Sequence, residues 1–153
     1  MIRVLFVCLG NICRSTMAEA VFAHKVREAG LKEQIEADSA GTGDWHVGKP
    51  PYAGTRKILA KNNIEYAHSG RQISARDLDD FDYVIPMDEA NLGDIRAIGH
   101  GCAKIALFLD YAPNASVREV PDPYYTGNFE EVYLLCIDAV EGLLTAIRRE
   151  HGL

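Results

Sequence analysis

The apolar residues of this chain fall into short runs, separated by longer stretches in which they recur at helical spacing. The first run, residues 3–9, is nearly continuous and rich in Val, Leu and Phe. This pattern is typical of a central parallel strand that is covered on both faces. Residues 83–87 and 104–109 are further apolar runs of strand length, and residues 34–39 are a plausible second strand. These segments are the predicted strands.

Helical periodicity follows the first strand. Residues 15–29 are predicted to form a helix with one apolar stripe and a natural stop at Gly30. Thr16 and Glu19 have the spacing of a capping box near its start. The stripe consists of Ala18, Val21, Phe22, Val26 and Ala29.

The last helix has the clearest pattern. Apolar residues keep helical spacing from residue 132 to residue 147. Two glutamates at positions 130–131 and two arginines at positions 148–149 suit the two ends of the helix dipole. The other predicted segments are helices at residues 52–61 and 88–98 and irregular stretches at residues 41–51 and 110–127.

Strands that alternate with helices predict an α/β fold, a three-layer domain in which a mostly parallel sheet is flanked by helices. We expect residues 1–153 to form a single domain of this kind. Ligands bind such sheets at the carboxyl ends of the strands. The turn after the first strand, residues 8–15, is therefore the first place to look for a functional site.

Composition narrows the classes of function. The 153 residues carry a formal net charge of −6, which argues against general binding to nucleic acids or anionic membranes. No stretch approaches the length of a membrane span, and the apolar residues 4–9 are too few for a secretory signal. We therefore expect a cytoplasmic, reducing environment, in which thiols are more often reactive or buried than bridged. Cys102 and Cys136 are expected in the core.

The turn at residues 8–15, called the Cys8 loop below, has the features of an anion-binding site. It leads into a helix N-terminus, so unpaired N–H groups and the positive end of the helix dipole face its hollow. Gly10 and Asn11 accept left-handed backbone conformations, and such a loop turns successive N–H groups inward. Arg14 adds a planar guanidinium that can hold two oxygens of a phosphate. The loop consists of Cys8, Leu9, Gly10, Asn11, Ile12, Cys13, Arg14 and Ser15.

Cys8 lies in the same positive field. A thiol beside a helix N-terminus and an arginine ionises readily, so the nucleophilic thiolate is expected at neutral pH. Ser15 can donate a hydroxyl hydrogen bond to it. The loop thus combines a nucleophile with a cradle for the transition state of phosphoryl transfer. A buried strand cysteine is the alternative, but Cys followed six residues later by Arg and then by Ser or Thr is expected only about 0.02 times by chance.

With these residues in view, the chain resembles the low-molecular-weight protein tyrosine phosphatases. Residues 4–15 followed by residues 17–20 resemble the opening motif of that family, and residues 122–125 resemble its late acid motif. The similarity spans essentially the whole chain, and it implies the family's fold, a four-stranded parallel sheet flanked by helices. The segments that resemble the family's intermediate motifs are residues 38–41, 81–83 and 87–88.

The resemblance implies chemical roles for three residues. Cys8 would be the nucleophile that becomes phosphocysteine, and Arg14 would bind the phosphoryl oxygens. Asp122 would protonate the tyrosine leaving oxygen and then activate water for the second step. Without the resemblance, Asp122 is better interpreted as a turn cap on a proline-flanked loop.

The resemblance also implies supporting roles. Ser15 would tune the thiolate, and Asn11, with Ser39 and His68, would hold the strained shape of the Cys8 loop by hydrogen bonds. Thr16 stands where the family usually has Pro. Because Thr and Pro both suit a helix start, we expect this departure to have little effect.

Loop aromatics and a second cysteine complete the candidate site. Trp45, Tyr124 and Tyr125 are candidates for the walls of a slot that stacks on a phenyl ring; the alternative is that they cover the sheet edge. Cys13 is either a structural residue of the loop or the partner of Cys8 in a reversible disulfide. Such a disulfide would shield the nucleophile from over-oxidation.

The expected activity is hydrolysis of phosphotyrosine in a phosphorylated protein or peptide. A phosphoarginine phosphatase is an alternative, but related enzymes with that activity carry Thr where this chain has the apolar Ile12. An arsenate reductase would need further cysteines to relay a disulfide, and residues 83–94 contain none. A non-enzymatic alternative is a phospho-residue binding module or a redox sensor. Such a protein would be expected to lose Cys8, Arg14 or Asp122, and all three are present.

No cofactor and no metal are expected, because the five histidines show no metal-ligand spacing. The expected partner is the phosphorylated substrate, with no nucleic acid and no membrane. We expect a monomer or a weak homodimer.

Overall fold

A computed structural model describes all 153 residues and confirms the α/β fold, with four parallel strands flanked by helices. The strands are β1 (Ile2–Cys8), β2 (Ile35–Gly41), β3 (Tyr83–Pro86) and β4 (Lys104–Ile105). Their order in the sheet is β2-β1-β3-β4, so β1 lies in the interior of the sheet. The helices are α1 (Arg14–Glu28), α2 (Ala53–Lys61), α3 (Asp77–Asp80), α4 (Glu89–Ile98), α5 (Pro123–Thr126) and α6 (Phe129–His151), with a 3₁₀ turn at Phe108–Tyr111.

The continuous apolar run of β1 is explained by burial on both faces of the sheet. Val4, Phe6 and Cys8 point to the face covered by α1, α2 and α6. Leu5 and Val7 point to the opposite face, which α3 and α4 cover. Because successive strand residues alternate between faces and both faces are covered, the buried residues 4–8 of this strand are all apolar or functional. The side chain of Cys8 thus emerges on the α1 side.

The run at residues 104–109 is only partly a strand, which corrects the prediction. β4 pairs with β3 through Lys104 and Ile105 alone, and the chain then bends into the 3₁₀ turn. Phe108 is fully buried there, with its ring 5.5 Å from that of Phe6. A Cβ on Gly142 of α6 would lie 1.8 Å from the Tyr111 carbonyl oxygen, so this close packing requires glycine. Burial of these residues mimicked the pattern of a longer strand.

The capping box predicted in the first helix is wrong. The helix begins at Arg14, and its N-cap residue, Cys13, makes no side-chain cap. The Thr16 hydroxyl donates to the Cys13 carbonyl at 3.0 Å. Glu19 lies beyond the first turn, so it cannot reach back to cap the helix and instead contacts β2. Ala29 is exposed because it follows the end of the helix, so it is not part of the apolar stripe.

The remaining differences between the predicted and the observed structure are small, apart from the position of Cys102. The short helices α3 and α5 interrupt stretches predicted as irregular or left unassigned. Cys136 is fully buried in α6, as predicted. Cys102 is exposed, which contradicts the core prediction, because it lies in the loop that leads into the edge strand β4. None of the helices is both long and apolar enough to span a membrane.

Candidate active site

The Cys8 loop lies at the carboxyl end of β1, where the fold predicts a ligand site. Cys8 is the last residue of β1 and Arg14 is the first residue of α1, so the loop is a direct connection from strand to helix. Both side chains are buried, and Ser15 is fully buried. The residues predicted from the sequence to form this loop are therefore brought together by two rigid elements.

The Cys8 sulfur is surrounded by hydrogen-bonding groups of the loop itself. The backbone N–H of Asn11 donates to Sγ at 3.2 Å, and the Ser15 hydroxyl oxygen lies 3.1 Å from it. The Ser15 oxygen also accepts from the Asn11 side-chain amide at 2.9 Å, which leaves its own hydrogen free to point at the sulfur. This arrangement suits a sulfur that carries negative charge.

Asn11 has a backbone φ of 57°, in the left-handed region, and its side chain holds it there. Its amide nitrogen donates to Ser15 and to the Ser39 hydroxyl, both at 2.9 Å. Its amide oxygen accepts from the Arg71 backbone N–H at 3.1 Å and lies 2.8 Å from Nε2 of His68. These four contacts tie the strained turn to the scaffold. Ser39 and His68 thus lie where the loop-support prediction needs them.

A buried carboxylate extends this network, and it was not identified from the sequence. Glu19 Oε1 accepts from the hydroxyls of Ser39 and Tyr66, each at 2.7 Å, and lies 3.5 Å from Nδ1 of His68. Burial raises the pKa of Glu19 to about 7, outweighing the opposite effect of the two hydroxyl hydrogen bonds. Burial is also the main cause of a lowered pKa of His68. Nothing in the local sequence marks Tyr66, because its contact with Glu19 is made in the tertiary structure.

Arg14 is oriented by an acid that sequence reasoning did not assign to the site. Its Nη1 donates to Asp88 at 2.6 Å and to the Val120 carbonyl at 3.1 Å, and its Nη2 lies 3.5 Å from Oδ2 of Asp122. Burial disfavours the charged guanidinium, but Cys8, Asp88 and Asp122 outweigh it and raise the pKa of Arg14. Asp88 comes two residues after the end of β3, so its place near the carboxyl end of a strand was the available signal.

Asp122 caps a short helix and also faces the cleft. Its Oδ1 accepts from the Tyr124 backbone N–H at 3.1 Å and so caps the short helix α5. Its other oxygen faces Arg14, and the side chain is 25% exposed. The turn cap therefore fixes the position of a carboxyl group that still reaches the mouth of the Cys8 loop.

A single cleft of about 350 Å³ is lined by Cys8, Arg14 and Asp122, together with other residues of the Cys8 loop and several loop side chains. Trp45, Tyr124 and Tyr125 stand at its mouth and are 66%, 52% and 78% exposed. His46, which sequence reasoning missed, lies among them, and a Cβ on Gly10 would come within 3.0 Å of its ring. The lining residues are Cys8, Leu9, Gly10, Ile12, Cys13, Arg14, Trp45, His46, Asp122, Tyr124 and Tyr125.

Cys13 shares the cleft with Cys8. Burial, with the nearby Cys8 and Asp122, raises the pKa of the Cys13 thiol to about 12, so this residue stays protonated at neutral pH. Cys102 and Cys136 are not among the cleft residues. A relay of three cysteines, as an arsenate reductase would need, is therefore not assembled here.

One group of side chains has the composition of a metal site. Ligand atoms of Glu19, Asp38 and His68 lie within 4.8 Å of one another. These atoms are already engaged: Asp38 pairs with Arg71 at 3.1 Å, and the other two belong to the network around Asn11. Their geometry is accounted for by these contacts.

The chain is similar to known phosphatases along its whole length. Residues 3–152 match the family model described as low molecular weight phosphotyrosine protein phosphatase. The low molecular weight protein-tyrosine-phosphatase YfkJ of Bacillus subtilis is 50% identical over the full length of both chains. The crystal structure of YfkJ superimposes with a TM-score of 0.95, covering 98% of this chain and 96% of that one. A Drosophila arginine phosphatase, DARP, superimposes with a TM-score of 0.89 at 35% identity, covering 95% of this chain and 97% of that one.

Proposed function

The chain belongs to the low molecular weight phosphotyrosine protein phosphatase family, a family of phosphoric monoester hydrolases, and we propose that it hydrolyses phosphotyrosine through a phosphocysteine at Cys8. The observation that carries the proposal is the position of the Cys8 sulfur. It lies in a buried anion-binding loop, 3.2 Å from the Asn11 N–H, in one cleft with Arg14 and Asp122.

Substrate binding is assigned to the Cys8 loop. The phosphoryl group enters with its oxygens toward the loop N–H groups and the N-terminus of α1, where the helix dipole favours negative charge. Arg14 supplies two further donors from its planar guanidinium. The hydrogen bond from Arg14 to Asp88 orients that guanidinium before substrate arrives. Less conformational entropy of the Arg14 side chain is therefore lost when the substrate binds.

The first chemical step transfers the phosphoryl group to sulfur. The Cys8 thiolate attacks phosphorus, a P–S bond forms, and the P–O bond to the tyrosine breaks. The leaving oxygen takes a proton from the carboxyl group of Asp122, so tyrosine leaves as a neutral phenol. The loop donors stabilise the charge that spreads over the equatorial oxygens.

The second step returns the enzyme to its starting state. A water molecule attacks phosphorus through its oxygen, and Asp122, now a carboxylate, takes a proton from that water. The P–S bond breaks, inorganic phosphate leaves, and the electron pair returns to the Cys8 sulfur. The Ser15 hydroxyl, 3.1 Å away, stabilises that thiolate as it leaves. The contacts of Asn11 with Ser39 and His68 keep the loop in its anion-binding shape throughout.

The shape of the cleft favours an aryl phosphate. Ile12 gives the loop an apolar surface, and Tyr124, Trp45 and Tyr125 stand where they can stack on a phenyl ring. Phosphoarginine is the second candidate substrate, supported by the similarity to DARP. A planar guanidinium could also stack on these aromatics, but the apolar Ile12 offers it no hydrogen bond.

We also assign a redox role to Cys13. A peroxide would oxidise the Cys8 thiolate to a sulfenic acid, and the Cys13 thiol would displace water from it to form a disulfide. A small thiol reductant would then restore both cysteines. Mass spectrometry after mild peroxide treatment tests this assignment, and absence of a Cys8–Cys13 bridge would leave Cys13 as a structural residue.

A turnover panel tests the proposed function. Phosphotyrosine, phosphoserine and phosphoarginine peptides of matched sequence are each supplied with EDTA present. We expect phosphotyrosine to be hydrolysed fastest and Cys8→Ser to be inactive on all three. Faster turnover of phosphoarginine would select the second candidate, and activity that survives Cys8→Ser would contradict the mechanism.

A further inference from the structure

Trp45, the only tryptophan of the chain, packs against Gly43 at the mouth of the cleft. The six-membered ring of the indole occupies the space that a side chain at position 43 would need. A Cβ on Gly43 would lie closer than 3.0 Å to Cζ3, Cε3 and Cη2 of Trp45, a separation that Cβ atoms essentially never show. Any side chain at position 43 would therefore displace the indole.

The backbone at Gly43 is attached directly to the Cys8 loop. The Gly43 N–H donates to the Leu9 carbonyl at 2.9 Å, and the Thr42 N–H donates to the Cys8 carbonyl, also at 2.9 Å. The Thr42 carbonyl accepts from the Gln72 side chain at 3.1 Å, so a second segment of the chain also holds this stretch. The surface against which the indole rests is thus fixed relative to the nucleophile.

The indole of Trp45 is otherwise weakly confined. It is 66% exposed and follows a turn that the Val47 N–H closes onto the Asp44 carbonyl at 3.3 Å. Tyr124, by contrast, contacts three other rings at the same mouth. A displaced indole can therefore move into solvent at little cost to folding. The contact with Gly43 decides where the ring stands more than how stable the protein is.

We propose that Gly43 is a positioning residue for the proposed reaction, holding Trp45 where its indole contacts the aryl group of the substrate. Gly43 itself is not among the residues that line the cleft. This inference rests on the proposed function and extends it, because it assigns part of the affinity for the aryl group to a residue that does not contact the substrate. Gly43 acts on the aryl group alone, since the Cys8 loop binds the phosphoryl group.

Gly43→Ala provides the test, because the φ of Gly43 is not positive and alanine can adopt this backbone. We expect KM for a phosphotyrosine peptide to rise about 3- to 10-fold with little change in kcat, since a stacking contact is lost. The inhibition constant of inorganic phosphate, which needs only the Cys8 loop, should stay unchanged. Stability to urea should not fall. Acrylamide should quench the fluorescence of Trp45 more readily in the variant, because the ring is released from Gly43.

Two further variants serve as controls. In a Trp45→Ala background, Gly43→Ala should leave KM unchanged, because the ring that Gly43 positions is gone. Gly93→Ala adds the same methyl group at an exposed position of α4, where a Cβ would meet nothing within 4 Å. This variant should keep the wild-type KM and the wild-type quenching.

An unchanged KM in Gly43→Ala, or an equal rise of KM with and without Trp45, would overturn the role of Gly43. A loss of stability that persists in the Trp45→Ala background would also overturn it, because the added Cβ would then be meeting the backbone. Absence of peptide turnover by the wild type would overturn the proposed function instead. The quenching comparison does not depend on activity, so it tests the contact between Gly43 and Trp45 by itself.

Discussion

The two parts of the cleft, the Cys8 loop and the Asp122 segment (residues 110–127), are held by the fold in different ways. The Cys8 loop is buried between β1 and α1, and Asn11 alone makes four side-chain hydrogen-bonding contacts within it and to its surroundings. Much of the Asp122 segment is exposed, and its attachments to the site are few. The Val120 N–H donates to the Met87 carbonyl at 3.0 Å, and the Val120 carbonyl accepts from Arg14.

This difference separates two demands of the proposed reaction. The nucleophile and the anion donors must be pre-organised, because rearranging them during the reaction would cost the stabilisation that they provide. The proton donor must instead meet leaving groups and water at the cleft mouth, where access matters. We therefore expect substitutions in the Cys8 loop to affect both stability and activity, and substitutions in the Asp122 segment to affect mainly activity.

The largest effect on activity is expected at Asp122, in the exposed Asp122 segment. Asp122→Ala should lower kcat about 100- to 10,000-fold for a phosphotyrosine peptide, since the proton donor is lost, with little change in phosphate binding. Asp122→Asn is the matched control, because its amide oxygen can still cap α5. Both variants should lose kcat, whereas only Asp122→Ala should lose about 0.5–1 kcal/mol in the free energy of unfolding. An unchanged kcat in both would show that another group is the acid.

The next largest effect is expected at Asn11. Asn11→Ala should lower the free energy of unfolding by about 2–4 kcal/mol and also reduce kcat/KM, since it breaks buried hydrogen bonds and leaves Ala in a left-handed turn. Asn11→Gly separates these causes, because glycine accepts a φ of 57°. The glycine variant should recover part of the stability but little of the activity. Urea unfolding and steady-state kinetics measure both, and a fully active Asn11→Ala enzyme would contradict the need for a pre-organised loop.

A smaller, pH-dependent effect is expected at Glu19, behind the loop. Its pKa is about 7 in the folded protein, against 4.5 for an ordinary glutamate. Between these values the folded state binds more protons than the unfolded state, so stability falls as pH rises from about 4.5 toward and past 7. Glu19→Gln removes this titration. Relative to wild type, the variant should therefore gain about 1–3 kcal/mol in the free energy of unfolding between pH 5 and pH 8.

Urea unfolding at the two pH values measures this gain. Glu33→Gln, which changes an exposed glutamate, serves as the control and should track the wild type at both. A stability difference between Glu19→Gln and wild type that does not vary with pH would mean that Glu19 is ionised throughout this range.

The smallest effect is expected among the aromatics at the cleft mouth. Tyr124 contacts the rings of Tyr52, Tyr125 and His46, with centroids 5.4–6.4 Å apart, whereas Tyr125 contacts only Tyr124. Tyr124→Ala should raise KM for phosphotyrosine peptides about 3- to 10-fold, and Tyr125→Ala should change it less. Equal effects of the two substitutions would mean that both rings contact the substrate alike.

The same contrast explains what could be predicted from the sequence. The strand before Cys8 is recognisable because burial on both faces demands an unbroken apolar run, and the loop is recognisable because its chemistry is local. Asp122 could be predicted as a site residue only from the family resemblance, because a turn cap on an irregular segment has no sequence pattern of its own. Asp88, His46, Glu19 and Tyr66 act through contacts made only in the folded chain. The error at Cys102 arose because its exposure depends on the tertiary position of its loop, whereas the capping box failed because the helix begins at Arg14 and leaves Glu19 beyond the first turn.

The most direct test of the central claim, covalent transfer to Cys8, is to trap the intermediate. The Asp122→Ala variant is mixed with 4-nitrophenyl phosphate, whose good leaving group needs no protonation, so the second step is slowed more than the first. The protein is then denatured rapidly and its peptides are mapped by mass spectrometry. We predict one phosphoryl group on the peptide that contains Cys8, and none in the corresponding Cys8→Ser protein. A phosphoryl group on any other residue, or release of 4-nitrophenol with no labelled protein, would contradict this mechanism.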